Sequence, residues 1–133
     1  MEPQKLCGND VWVLQALGGG AGETWPLAKV IAHADALNHA ILSYAELCRA
    51  VARLRALDLI VVDGERCGHS EAGRQLVNSC RSRGVFDTRD ELEKRLGAGP
   101  WEPSARIPEP SPAEQFVTRE QYEAAVRLYL RRY

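Results

Sequence analysis

Arg49 and Arg53 are the side chains of this sequence best suited to recognition chemistry. They stand four residues apart in a helical stretch, so both guanidinium groups project from one face. A guanidinium presents a planar fork of donors that fits the O6 and N7 atoms of guanine or the oxygens of a phosphate. Ala45, Ala52 and Ala56 keep the surrounding face low, which lets another surface come close, while Glu46 lies on the same side and offsets part of the charge. At the start of that helix, the Ser43 hydroxyl and Tyr44 are positioned to reach a nucleic-acid backbone. Lys29, on the preceding helix, and Arg66, on a following strand, would add two cations.

Other reactive side chains form no comparable constellation. Cys67-Gly68-His69 with Cys80 offers one close pair of metal-binding residues, whereas a zinc site needs four ligands, usually in paired short spacings. His33 and His39 flank a turn between helices, without a Ser or Cys in a strained elbow and without an acid placed to orient an imidazole. Gly18-Gly19-Gly20-Ala21-Gly22 follows a helix rather than a strand and carries no P-loop lysine, so it reads as a flexible connection. No catalytic centre, metal or cofactor is expected.

The elements that must position these residues are marked by local signals. Ser43-Tyr44-Ala45-Glu46 is a capping box: the Ser43 hydroxyl accepts from the Glu46 amide and the Glu46 carboxylate accepts from the Ser43 amide. Leu42 and Leu47 can close a hydrophobic staple around it. The helix runs to about residue 57, with Leu47, Val51 and Leu54 as its buried stripe. An apolar strand over residues 59–62 leads to Asp63-Gly64, expected as the central pair of a two-residue hairpin turn, and a return strand covers residues 66–69. Upstream, Asn9 or Asp10 is expected to cap a first helix over residues 11–17. A second helix begins near Thr24 and Pro26 and buries Leu27, Val30, Ile31 and Ala34. Downstream, a fourth helix spans 71 to about 82, and Thr88-Arg89-Asp90-Glu91 is read as a capping box opening a short helix through Leu96.

Five prolines between Pro100 and Pro112 make residues 97–117 an extended, semi-rigid arm, with Trp101 and Ile107 as candidate anchors. A third capping box, Thr118-Arg119-Glu120-Gln121, opens a terminal helix at 118–133. Its stripe of Tyr122, Val126, Tyr129, Leu130 and Tyr133 could fold back on its own domain. The sharper expectation is that it packs across a two-fold axis or into a partner's groove, with the arm supplying reach.

The totals bound these readings. At 133 residues and 45% hydrophobic the chain can bury one core. It has no apolar run long enough to span a bilayer, and its first residues lack the apolar stretch of a signal peptide, so a cytoplasmic protein without membrane contact is expected. The four cysteines are scattered, and in a reducing compartment they serve as small hydrophobes. The net charge of −1 supplies no basic surplus for phosphate, so DNA binding must depend on where the arginines sit.

The expected fold is mainly α with a small two- or three-stranded β-wing. It is a winged helix-turn-helix at residues 7–96, followed by the arm at 97–117 and the terminal helix. The order of elements over residues 9–83 resembles the winged-helix bacterial regulators of the MarR and PadR type. The resemblance rests on Leu54-Arg55-Ala56-Leu57-Asp58-Leu59-Ile60 and on Ser70-Glu71-Ala72-Gly73-Arg74. Asp58 stands where such proteins commonly carry glycine, and Asp63-Gly64-Glu65 makes a wing shorter and more acidic than DNA-reading wings. The resemblance implies a dimeric transcription regulator binding double-stranded DNA, with the third helix in the major groove. The DNA contacts would then be Ser43, Tyr44, Ala45, Arg49, Arg53, Lys29 and Arg66. The alternative is a winged helix that binds a protein partner, through its terminal helix, and does not bind DNA. The acidic wing, neutral charge balance and aromatic terminal helix fit this better.

Overall fold

The computed structural model describes residues 5–81 and 84–132, apart from the side chains of Val85 and Phe86. Within them, six α-helices and three strands follow in the order α1 (Gly8–Ala16), β1 (Trp25–Pro26), α2 (Leu27–Asn38), α3 (Tyr44–Ala56), β2 (Ile60–Asp63), β3 (Arg66–His69), α4 (Glu71–Cys80), α5 (Val85–Leu96) and α6 (Arg119–Arg132). Two short 3-10 turns, Ser104–Arg106 and Pro112–Glu114, interrupt the stretch between α5 and α6. The strands form one antiparallel sheet in the order β1-β3-β2. This is the mainly α architecture with a small wing that the sequence predicts.

The helices form where their local signals are strongest. Glu46 N donates to Ser43 Oγ and Ser43 N to Glu46 Oε1, both at 3.1 Å, so the capping box of α3 is complete. The Thr118 box closes in the same way at the head of α6, with Gln121 as its far member. Leu47, Val51 and Leu54 enter a core with Trp12, Leu14, Val30, Ile31 and Leu42. The α4 helix is capped by Ser70, whose hydroxyl accepts from Gly73 N at 3.0 Å and donates to the Asp58 carbonyl at 2.6 Å. A β-carbon on Gly73 would lie 1.9 Å from the Leu59 carbonyl oxygen, so α4 meets the chain just before β2 at a distance only glycine allows.

Several local expectations shift. The hairpin's two-residue turn is Gly64-Glu65, because Asp63 pairs with Arg66 in the ladder. Of the two turn residues only Gly64 takes positive φ, at 60°, so the glycine occupies the first central position and Asp63 belongs to the strand. The first helix starts at Gly8. Asp10 is its third residue and its carboxylate accepts from Cys7 N, so Asp10 satisfies the helix start from within, and Asn9 turns to a different task. Pro26 precedes α2 as its cap residue and also ends β1, a two-residue strand without a sequence signal of its own. A proline fits there because β1 lies at the sheet edge. The α4 helix ends at Cys80, and α5 opens at Val85. Thr88 therefore lies inside α5, and its hydroxyl bonds back to the Gly84 carbonyl instead of capping the helix.

Residues 97–117 do not stand away from the domain. Gly99 N donates to the Leu6 carbonyl at 2.8 Å, and Ile107 and Val117 are buried. The Trp101 ring lies 5.3 Å from that of Trp12. Helix α6 then packs along α2, with Tyr122, Ala125, Val126 and Tyr129 set against the core.

Candidate interaction surfaces

The face of α3 expected to meet DNA is occupied by its own chain. Arg49 Nη2 pairs with Glu102 Oε2 at 2.5 Å and donates to Cys7 Sγ at 3.3 Å. Arg53 Nη1 pairs with Asp10 Oδ2 at 3.0 Å. Side-chain exposure is 11% for Arg49 and 16% for Arg53, so little of either guanidinium reaches solvent. Burial is the largest influence on the Arg49 charge and works against it. The Glu102 hydrogen bond, joined by the charges of Cys7, Glu102 and Asp10, outweighs burial and holds the guanidinium above its usual range. Arg49 Nε and Asp10 Oδ1 are buried without a hydrogen-bond partner among the described residues, so the polar cluster is costly as well as cohesive.

Asn9 holds the cover in place. Its Nδ2 donates to the Glu102 carbonyl at 2.9 Å and its Oδ1 accepts from Glu102 N at 2.8 Å, a two-point clamp on the arm's backbone. The same Nδ2 donates to Glu46 Oε2 at 2.7 Å, which ties the arm to the α3 capping box. No local sequence pattern announces this clamp. The aromatic Trp101 and apolar Ile107 within a proline-rich segment are the signals that the arm is anchored.

The other expected DNA contacts divide into two groups. Ser43 is committed to the cap, Tyr44 is buried with its hydroxyl donating to the Val117 carbonyl at 2.7 Å, and Ala45 is buried. Burial pushes the Tyr44 phenol up to about 12. Lys29 and Arg66 are exposed. The Lys29 ammonium sits 4.3 Å from the centre of the Trp25 ring, and Arg66 donates to Thr24 Oγ1 and to the Thr24 carbonyl. The structure therefore brings Arg49 and Arg53 together with Asp10 and Glu102, and leaves Lys29 and Arg66 beside β1.

The aromatic stripe of α6 is likewise engaged within the chain. The Tyr122 hydroxyl donates to the Leu42 carbonyl at 2.7 Å, and its ring lies 5.5 Å from that of Tyr44. The Tyr129 hydroxyl donates to an Asp35 carboxylate oxygen, and Val126 packs on the core between them. Leu130 is 64% exposed and takes no part in this contact. Tyr133 lies outside the described residues.

The groups weighed for metal or acid-base chemistry have structural tasks. His69 is buried, with Nε2 donating to the Leu14 carbonyl at 2.7 Å and Nδ1 facing Arg74 at 3.4 Å; burial pulls its pKa down. Cys67 is buried beside it in the sheet, its thiol pushed up to about 12 by burial. His33 Nδ1 lies 2.5 Å from the Ala16 carbonyl and its ring meets Trp25 edge-on. Among the described residues, no group of three or more His, Cys, Asp or Glu side chains could hold a metal ion. No described helix is long and apolar enough to cross a membrane.

With this geometry established, comparison of the chain with family models, with curated proteins and with solved structures finds no match.

Proposed function

We propose that this chain is a winged-helix domain used as a protein-interaction module, in which α3 serves the interior of its own fold instead of a DNA groove. The observation that carries this reading is the cover over α3. Arg49 is paired with Glu102 and Arg53 with Asp10, and the arm is clamped across the helix start by Asn9. Charge supports it too. The wing tip exposes Asp63 and Glu65, and an acidic tip repels a phosphate backbone. Four free, buried thiols support a reducing, cytoplasmic setting.

A second reading, the small DNA-binding regulator of MarR or PadR type, is favoured by the exposed Lys29 and Arg66 beside the wing. In that case phosphate contact runs along the sheet edge and not through Arg49 and Arg53. The experiment is fluorescence anisotropy with random-sequence duplex DNA across a salt series. The interaction-module reading expects no salt-dependent binding, even at low salt. Affinity that falls steeply with salt overturns it, and then Lys29→Ala or Arg66→Ala should each lower the salt slope by about one.

A further inference from the structure

The side of α6 turned away from the core carries a second pattern. Glu120, Glu123, Ala124, Arg127, Leu130 and Arg131 are all exposed and share one face of the helix. Both glutamates lie in its first half and both arginines in its second. Among the described residues, none of the four charges forms an ion pair. Acidic residues near a helix start and basic ones near its end complement the helix dipole, which accounts for the polarity. The dipole does not account for Leu130, 64% exposed between the two arginines. Nor does it account for the small Ala124, which lets a second helix come close.

We propose that two copies of this chain pair through this face, α6 of one antiparallel to α6 of the other, whether or not the domain also holds a different partner. A parallel pairing would set glutamate against glutamate. An antiparallel pairing about a point midway between residues 125 and 126 sets Glu120 opposite the partner's Arg131 and Ala124 opposite the partner's Arg127. Glu123 then lies one residue from the partner's Arg127, and two-fold symmetry makes each contact twice. The 14 residues of α6 extend about 21 Å. One helix of that length is too small for the roughly 800 Å² per partner of a standard interface. The contact continues beside it into an open groove of about 370 Å³, where Ala124 and Leu128 of α6 face Leu27 and Ala28 of α2. The resulting dimer is concentration-dependent and weakened by salt. It uses the face opposite to Tyr122 and Tyr129, which stay inside each copy.

Light scattering coupled to size exclusion tests this on the full chain. At low salt and high concentration the mass should be twice 14.8 kDa, falling toward the monomer as salt rises. Glu120→Arg with Glu123→Arg should weaken self-association by about tenfold or more, and so should Arg127→Glu with Arg131→Glu. Mixing these two double variants should restore a dimer, which also shows that both are folded. Leu130→Ser, which leaves the charge unchanged, should weaken the dimer as well. A wild-type chain that is monomeric at low salt and high concentration overturns the proposal. So does a dimer that persists unchanged in both charge-reversed variants, or a mixture of them that stays monomeric.

Discussion

Asp58 holds φ at +56°, a left-handed conformation that crowds its β-carbon against the backbone, and its carbonyl accepts from the Ser70 hydroxyl. Glycine meets the same geometry without that crowding. Asp58→Gly is therefore expected to raise stability by about 0.5–1 kcal/mol, measured as a higher denaturant midpoint with unchanged slope. The gain is limited because glycine also loses more chain entropy on folding. His69 makes a different demand. Its folded pKa lies below the ordinary 6.5 because burial disfavours the imidazolium; the Leu14 carbonyl opposes this, and Arg74 and Arg81 add to it. The unfolded chain thus binds a proton that the folded chain refuses. Stability is full above pH 6.5 and is lost as pH falls from there toward the folded pKa. Thermal unfolding between about pH 7 and about pH 5 should show this loss. His69→Gln, which keeps a donor for the Leu14 carbonyl, should flatten it.

At the scale of elements, the arm is structural because Asn9 makes it so. Asn9→Ala removes both hydrogen bonds to the Glu102 backbone and the bond to Glu46, leaving part-buried groups unsatisfied. A loss of about 2–3 kcal/mol is expected, with faster amide exchange at Gly99 and Glu102. Equal protection of these amides in the variant would mean that Trp101 and Ile107 hold the arm without help. Elements fixed by neighbours in sequence are the legible ones: the Ser43 and Thr118 boxes each need only four consecutive residues. Thr88-Arg89-Asp90-Glu91 has the same pattern but lies within α5, because a threonine hydroxyl can also bond back to the carbonyl four residues earlier. Gly64 is the turn glycine, as the sequence suggests, yet the pairing of Asp63 with Arg66 decides which central position it takes.

For the whole molecule, the candidate site is legible in residue type and not in environment. Helical periodicity correctly gathers Arg49 and Arg53 on one face of α3. It cannot show that Asp10, 43 residues before Arg53 in sequence, and Glu102 on the arm close over that face. The aromatic stripe of α6 has the same ambiguity, since an amphipathic face fits its own domain and a partner alike. It takes the Leu42 and Asp35 acceptors to engage Tyr122 and Tyr129 within the chain. Net charge, by contrast, needs no knowledge of neighbours: a chain at −1 has no basic surplus to offer phosphate, and its two best-placed arginines are neutralised internally.

The clamp between Asn9 and Glu102 joins residues 93 apart, and this governs the order in which the chain can mature during synthesis. The polar head of α1 stays open to water until residue 102 has left the ribosome, although α1 itself emerges long before. Until then Arg49 lacks the Glu102 carboxylate. The α3 face of the nascent domain is thus locally more basic and more open than that of the finished fold, and the arrival of the arm converts it.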